Sequence, residues 1–322
     1  MEALLLAGGF GTRLRPLTYT RPKPLLPVAG RPMVEWVLDR LPPQVQRVVV
    51  AVNWLADELE AYFAASDRDL EFVVVREAAP LGTAGAVKNC EAHLTSERFF
   101  VLNADIVSSM DLAAMVKQHE ATGAVGTIAL TQVPRAEVVN YGVASLAEDD
   151  VRRITGFVEK PARPEDAPSH LINAGAYLLE RSVLDLIPAG RLVSMEQEIF
   201  PKLLAKGFYG WSFEGLWVDV GDPARLRGAS HALDAAFVAG PGSRLDGAVV
   251  ESILGPDCVV EAGGRVEHSV LGHGVHVRAG AVLRDCVVGD DEQVSGERIG
   301  ERVWSRPVPP GYPQKQVGNV LG

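Results

Sequence analysis

The chain has 322 residues, of which 47% are hydrophobic and 22% charged, a balance typical of globular proteins and unlike disordered or fibrous ones. Its formal net charge of −10 argues against a nucleic-acid-binding surface, which would require a basic stripe. The chain lacks an apolar run near the ~20 residues that span a bilayer and a basic leader segment, so we expect a cytoplasmic protein with no membrane partner.

Short apolar runs alternate with helical stretches through roughly the first 130 residues. The predicted strands are residues 3–7, 47–52, 72–75, 99–102 and 126–130, and the predicted helices are residues 33–41, 55–65 and 84–93. This alternation predicts an α/β fold, a doubly wound, Rossmann-like, mostly parallel sheet with helices on both faces. Ligands of such sheets bind beyond the carboxyl ends of the strands, so the residues that follow each run are the candidates for function.

A different pattern begins after a helix that starts at Asp222, an expected helix cap, and runs to about Val238. Glycines, charged residues and isolated valines or leucines then recur about every six residues, which predicts a left-handed parallel β-helix of hexapeptide repeats. Two units of only five residues, 267–271 and 284–288, leave an ordinary β-rich tail as the alternative. We therefore predict a first domain at 1–239, a repeat domain at 240–305 and an irregular tail at 306–322.

The three cysteines are Cys90, Cys258 and Cys286. They are widely separated and form neither a CxxC pair nor a zinc-binding spacing, so we expect all three in the buried core.

A glycine-rich loop follows the first predicted strand, at Gly8–Thr18; we call it the phosphate loop. Its glycines let backbone amides approach a phosphate closely, and Arg13 offers a guanidinium to neutralise the charge. The loop lacks the Gly-Lys-Ser/Thr of a Walker A motif, and Leu14 stands where a dinucleotide-binding fingerprint needs its third glycine. The loop therefore predicts an anion site of another kind.

The segment that continues the loop contains Arg21-Pro22-Lys23-Pro24, in which flanking prolines restrict the backbone around Lys23. The whole stretch of residues 5–32 closely resembles the signature of the sugar-1-phosphate nucleotidyltransferases. The resemblance implies that Arg13 and Lys23 are catalytic and contact the phosphates of a nucleoside triphosphate. It also implies a set of nucleotide-binding residues: Leu6, Ala7, Gly8, Gly9, Gly11, Thr12, Gly82, Thr83 and Asn103.

Two aspartates follow predicted strands and bear on a metal cofactor. Asp105 ends the segment Val101-Leu102-Asn103-Ala104-Asp105, and taken alone it would more readily cap the next helix. The family resemblance implies instead that it binds Mg²⁺ together with Asp219, since two carboxylates and phosphate oxygens suit that ion. Asp222 is the predicted helix cap rather than a ligand.

Three further segments resemble the sugar side of the family's site. The resemblance implies that Glu159 contacts sugar hydroxyls and that Lys160 contacts the sugar phosphate, although both would otherwise be ordinary surface charges. Segments 140–143 and 172–177 resemble the lining of the sugar pocket, and the implied sugar-phosphate-binding residues in them are Gly142, Asn173 and Gly175.

The loop Leu81-Gly82-Thr83-Ala84-Gly85 resembles the family's nucleobase loop, with Thr83 placed to cap the helix at 84–93. This loop and the segment at 194–201 resemble guanylyltransferases that act on mannose-1-phosphate more than thymidylyltransferases. The implied substrates are therefore a nucleoside triphosphate, with GTP favoured, and a sugar-1-phosphate.

Alternatives remain open at the level of the sequence. One is a uridylyl- or thymidylyltransferase acting on glucose-1-phosphate, and another is a non-catalytic regulatory subunit that binds nucleotide sugars. A third, an acyltransferase, rests on the repeats and on His268, His273 and His276, which we interpret as surface residues. The flanks of the repeat domain offer an assembly surface, so we expect a homo-oligomer.

Overall fold

A computed structural model describes residues 1–150, 152–234 and 238–313, and the chain divides into two compact units. The sheet unit comprises Met1–Gly9 and Val37–Trp217. The repeat unit comprises Phe10–Trp36 and the described residues from Val218 onward, so it includes most of the phosphate loop and Lys23.

The strands before the repeats are short. In chain order they are β1 (Glu2–Leu6), β2 (Pro27–Val28), β3 (Arg31–Pro32), β4 (Arg47–Val52), β5 (Glu71–Arg76), β6 (Arg98–Asn103), β7 (Ile106–Ser108), β8 (Gly126–Gln132), β9 (Gly142–Leu146), β10 (Ile154–Glu159), β11 (Leu171–Glu180), β12 (Phe208–Ser212) and β13 (Trp217–Asp219). All but β2, β3 and most of β13 belong to the sheet unit. The helices are α1 (Met33–Leu38), α2 (Ala56–Ala64), α3 (Gly82–Asn89), α4 (Leu112–Thr122), α5 (Phe200–Leu203) and α6 (Pro223–Leu233).

The sheet unit is built on a nine-stranded sheet with the order β10-β9-β11-β6-β1-β4-β5, and β8 pairs with both β11 and β12. Strands β6, β1, β4 and β5 are parallel, as the alternating pattern predicted. Strands β6, β1 and β4 are largely buried apolar runs, as is typical of parallel strands, whereas β5 is partly exposed. Strands β9, β10 and β11 add an antiparallel region beside β6, so the sheet is mixed.

One apolar core stabilises this sheet. Aliphatic side chains make up most of it, and the aromatic residues Phe99, Tyr177, Phe200 and Phe208 within it are completely buried. The ring of Phe200 contacts those of Tyr177 and Phe208, with centroids 5.2 and 4.9 Å apart. The core therefore fixes β11, which carries two of the predicted sugar-binding residues, to β12 and to the start of α5.

The repeats form a parallel β-helix of three faces, as predicted. Its strands are β14 (Arg244–Leu245), β15 (Ala248–Val250), β16 (Ile253–Leu254), β17 (Val259–Val260), β18 (Arg265–Glu267), β19 (Val270–Leu271), β20 (His276–Val277), β21 (Val282–Arg284), β22 (Val287–Val288), β23 (Gln293–Val294), β24 (Glu297–Ile299) and β25 (Arg302–Val303). Every third strand pairs in parallel, which gives the sheets β14-β17-β20-β23, β15-β18-β21-β24 and β16-β19-β22-β25. Buried valines, leucines and two cysteines fill the interior.

The five-residue units turn their corners with residues in the left-handed conformation, His268 (φ 46°) and Asp285 (φ 53°). These residues occupy equivalent positions on successive coils, so the shortened units preserve the stacking of the sheets. The irregular spacing is therefore compatible with a β-helix and does not require the β-rich tail.

All three cysteines are free and buried, as expected. Asp222 caps α6, because its carboxylate accepts a hydrogen bond from the Arg225 backbone N–H at 2.9 Å. Residues 306–313 contain no helix or strand, whereas residues 314–322 of the predicted tail lie outside the described residues. None of the helices among the described residues is long and apolar enough to cross a membrane. The division into domains at 1–239, 240–305 and 306–322 stays a prediction.

Candidate active site

The ends of two parallel strands and a bulge in β11 form one edge of the sheet. Leu6, the last residue of β1, lies beside Asn103, the last residue of β6. In β11 the pairing with β8 shifts between Asn173 and Tyr177, and Gly175 within this bulge has φ 73°. A Cβ on Gly175 would lie 2.7 Å from the Asn103 side-chain nitrogen, so only glycine fits there.

Ala7 and the first two residues of the phosphate loop, Gly8 and Gly9, follow β1 at this edge. Ala7 is held by a 2.9 Å hydrogen bond from its N–H to the Ala51 carbonyl. A Cβ on Gly8 would lie 3.0 Å from Glu77 Oε1, whereas one on Gly9 would meet open space. Burial raises the pKa of Glu77, and its carboxylate accepts the Leu81 N–H at 3.1 Å.

The rest of the phosphate loop belongs to the repeat unit and turns sharply at Gly11, which has φ 61°. A single 3₁₀ turn follows at Thr12–Leu14, in which the Leu14 N–H donates to the Gly11 carbonyl at 2.9 Å. A Cβ on Gly11 would lie 2.7 Å from Thr18 Cγ2 and 3.4 Å from Lys23 Cβ. The structure therefore places Gly11 next to Lys23.

The two predicted catalytic cations differ in their surroundings. Lys23 begins a 3₁₀ turn and is only 9% exposed. Arg13 is exposed, and its guanidinium lies against the backbone of Gly221, where a Cβ would come within 2.7 Å of Nη2. The Gly221 N–H donates to the Asp219 carbonyl at 2.8 Å, so Arg13 lies beside the turn that follows β13.

The predicted metal ligands are both partly exposed carboxylates at or just after the end of a strand. Asp105 follows β6 by two residues in the sheet unit, and Asp219 ends β13 in the repeat unit, with Oδ2 3.5 Å from Arg225 Nη1. Among the described residues there is no group of three or more His, Cys, Asp or Glu side chains that would hold a metal ion alone.

The predicted sugar-side residues Gly142 and Glu159 face each other across β9 and β10. A Cβ on Gly142 would lie 2.6 Å from Glu159 Oε2 and 2.3 Å from the Phe157 ring, so the absent side chain leaves room for this carboxylate. Lys160 has φ 46°, and its Nζ lies 3.7 Å from Glu159 Oε1. The left-handed backbone at Lys160 thus turns its ammonium group back toward the carboxylate.

Burial governs the charge of Glu159, whose side chain is only 13% exposed. Loss of hydration, reinforced by the negative charge of Glu196, raises the pKa of Glu159 to about 7, although Lys160 opposes the rise. Near neutral pH this carboxyl is therefore divided between its protonated and ionised forms.

Sequence reasoning did not identify Glu196 and Tyr177 as site residues, and the structure makes them the link between two predicted groups. Asn173 donates to the Tyr177 hydroxyl at 2.8 Å, and that hydroxyl donates to Glu196 Oε1 at 3.4 Å. Thr83 donates to Glu196 Oε2 at 2.8 Å. Both missed residues lie in segments that the family resemblance singled out, so that resemblance was the available signal.

The predicted capping role of Thr83 is wrong. Helix α3 begins two residues earlier than predicted, at Gly82, and ends at Asn89 rather than residue 93. Gly82 takes φ 74° and packs so closely on Val193 that a Cβ would lie 2.5 Å from its carbonyl oxygen. This early start turns the Thr83 hydroxyl away from the helix, and it accepts the Met195 N–H at 2.8 Å.

The three histidines of the repeats pair with acidic side chains. The imidazoles of His268 and His273 lie 3.1 Å from Glu251 and Asp257 respectively, and that of His276 lies 2.6 Å from Glu261. Each acidic partner lies on the preceding coil, so these contacts join successive coils at the surface.

Comparison with known proteins yields matches along the chain. Residues 2–235 match the nucleotidyl transferase family, and residues 228–303 match the GlmU-like C-terminal hexapeptide family. The chain is 36% identical to a mannose-1-phosphate guanylyltransferase of Mycobacterium tuberculosis, over 88% of this chain and 83% of that protein. It is 35% identical to mannose-1-phosphate guanylyltransferase 1 of Arabidopsis thaliana, over 90% of this chain and 86% of that one.

Among solved structures, the chain is similar to a UDP-glucose pyrophosphorylase complexed with UDP-glucose. The TM-score is 0.62 and the identity 26%, and the match covers 72% of this chain and 97% of the other.

Proposed function

This chain belongs to the nucleotidyl transferase family, and on that basis we propose that it transfers a guanylyl group from GTP to mannose-1-phosphate. The products are GDP-mannose and pyrophosphate. The observation that carries this proposal is that relatives named for this reaction match the chain over 88% and 90% of its length.

In the proposed reaction an oxygen of the sugar-1-phosphate attacks the α-phosphorus of the triphosphate in line. A new P–O bond forms as the bond from the α-phosphorus to the oxygen bridging to the β-phosphate breaks, and pyrophosphate leaves with that bond's electron pair. Both reactants are anions, so positioning and neutralisation of charge provide most of the catalysis, and no covalent intermediate is needed.

For the phosphates, we assign Arg13 to the leaving pyrophosphate and Lys23 to the α-phosphate. The small exposed fraction of Lys23 and its position beside Gly11 support this role, because a restrained ammonium loses little freedom when the substrate binds. The backbone groups of Gly8, Gly9, Gly11 and Thr12 would approach the phosphates closely. Leu6, Ala7 and Asn103 are the other residues that we assign to nucleotide binding.

For the sugar, we assign Glu159 to the hydroxyls and Lys160 to the phosphate of the sugar-1-phosphate. The bulge at Asn173 and Gly175, and the absence of a side chain at Gly142 that would displace Glu159, support a sugar site at this edge of the sheet. Gly82 and Thr83 would contact the base, and the hydrogen bond from Thr83 to Glu196 connects that loop to the sugar side.

Mg²⁺ is the proposed cofactor, with Asp105 and Asp219 as its protein ligands. A donor set of two carboxylates fits this ion, which usually keeps waters and takes oxygens from substrate phosphates. When bound, Mg²⁺ would neutralise charge on the triphosphate. We further propose a cytoplasmic homo-oligomer.

The test is pyrophosphate release from the purified full chain with Mg²⁺, crossing GTP, UTP, dTTP, ATP and CTP with mannose-1-phosphate and glucose-1-phosphate. Release confined to GTP with mannose-1-phosphate is the expected result. The similarity to a UDP-glucose pyrophosphorylase makes UTP with glucose-1-phosphate the second candidate, and release with that pair would replace our assignment of base and sugar. No release with any pair would favour a non-catalytic subunit.

A further inference from the structure

The segment that follows the last coil of the β-helix folds against residues 10–18 of the phosphate loop, and both belong to the repeat unit. Within this segment Tyr312 is only 3% exposed, although it lies in a stretch without helix or strand. Its hydroxyl donates to the Phe10 carbonyl at 2.9 Å and lies 2.9 Å from the Thr18 hydroxyl. A residue distant in sequence thus contacts the loop at Phe10 and at its last residue, Thr18.

Thr18 connects this contact to the turn of the loop. It is completely buried, and its hydroxyl also lies 3.0 Å from the Gly11 carbonyl oxygen. The Tyr312 and Thr18 hydroxyls each have one proton, and they make three close contacts: with each other, with the Phe10 carbonyl and with the Gly11 carbonyl. These contacts connect Phe10, Gly11 and Thr18 to the Tyr312 hydroxyl. Buried groups of this kind are costly to leave without partners, so the network restrains the backbone that precedes Arg13.

Aromatic and cationic contacts surround the same hydroxyl. The Tyr312 ring packs edge-on against Tyr19 and Phe10, with centroids 4.8 and 5.9 Å away. The Arg15 guanidinium lies over the Tyr312 ring, 5.9 Å from its centroid. Arg302, in the last strand of the β-helix, donates a hydrogen bond to the Arg15 carbonyl.

We propose that Tyr312 is a positioning residue for the phosphate loop, and that its hydroxyl holds the turn at Gly11 in the conformation that presents Arg13 and the loop amides to the triphosphate. This inference rests on the proposed function of the loop. It gives the segment after the β-helix a part in nucleotide binding that acts through the phosphate loop.

The test is Tyr312→Phe in the full chain, which removes one oxygen and keeps the ring. We expect the KM for GTP to rise about 10-fold, because the loop binds the triphosphate less tightly, and the KM for mannose-1-phosphate to stay unchanged. Thr18→Val should raise the same constant, and the two changes together should do little more than either alone. Thr18→Ser, which keeps the hydroxyl, should restore most of the affinity.

Tyr209→Phe is the matched control, because Tyr209 is a partly exposed tyrosine of β12 in the sheet unit, and it should leave both constants unchanged. Unchanged constants in Tyr312→Phe would overturn the proposal, and so would an equal rise in both KM values, which a general loosening of the protein would produce.

Calorimetric titration with GTP and Mg²⁺ separates this inference from the proposed function. If the wild-type chain releases no pyrophosphate, the proposed function is wrong. If that same chain still binds GTP about 10-fold more tightly than Tyr312→Phe, the positioning role of Tyr312 is supported. If Tyr312→Phe does not fold, Thr18→Val decides the matter by the same two measurements.

Discussion

Replacing Glu159 with glutamine should stabilise the protein while weakening its binding of the sugar-1-phosphate. Burial and Glu196 raise the pKa of Glu159 from 4.5 to about 7, so ionising it in the folded state is harder than in the unfolded chain. That difference corresponds to about 3 kcal/mol when the group is fully ionised in both states. Glutamine has nearly the same shape and carries no charge, so it avoids this cost.

The sign of the effect follows from the raised pKa. Below about pH 4.5 Glu159 is protonated in both the folded and the unfolded state, so it does not destabilise the wild-type chain. The destabilisation develops as the pH rises from about 4.5 to about 7 and is fully present above that range. We expect Glu159→Gln to melt about 2–6 °C higher than wild type at pH 8, with most of the difference gone at pH 5. Scanning calorimetry of both proteins without substrate measures this directly.

Glu214→Gln is the control for this experiment, because Glu214 is an exposed glutamate of the same unit and should melt like wild type at both pH values. The cost of sugar binding appears in kinetics, where Glu159→Gln should raise the KM for the sugar-1-phosphate. Equal or lower melting temperature of Glu159→Gln at pH 8 would refute the inference that burial of this charge is costly.

Three other changes test separate parts of the structure. Gly142→Ala places a methyl group 2.6 Å from Glu159 Oε2 and 2.3 Å from the Phe157 ring, so the KM for the sugar-1-phosphate should rise about 10-fold while that for GTP stays constant. Lys23→Ala should lower turnover about 100-fold with an unchanged circular dichroism spectrum, and near-normal turnover would remove Lys23 from the mechanism. Asp222→Ala deletes the cap of α6 and should cost about 1 kcal/mol in thermal unfolding, whereas full stability would show that the cap contributes nothing.

Strands that bury both faces were predictable from the sequence, because they are continuous apolar runs with one plausible conformation. The run at Arg47–Val52 matches β4 residue for residue. The repeat pattern likewise predicted the β-helix, since each coil repeats the same arrangement of glycine and buried valine or leucine. Family motifs drew attention to Arg13, Lys23 and Glu159, whose roles stay predictions.

Features that depend on long-range packing were not predictable in this way. The start of α3 is set by the approach of Gly82 to Val193, and that contact also redirects Thr83 toward Glu196. The burial of Tyr312 against Thr18 joins residues 294 positions apart, and nothing local to the irregular tail marks that tyrosine. Sequence periodicity describes neighbours along the chain, whereas these contacts arise only once the units have folded.

The most direct test of the central claim follows the phosphorus atoms of the donor. The purified chain is incubated with Mg²⁺, mannose-1-phosphate and GTP labelled at either the α- or the γ-phosphate, and the products are separated. Attack at the α-phosphorus predicts that the α label appears in GDP-mannose and the γ label in pyrophosphate. Appearance of the γ label in a sugar phosphate or in free phosphate, with no labelled GDP-mannose, would contradict nucleotidyl transfer by this protein.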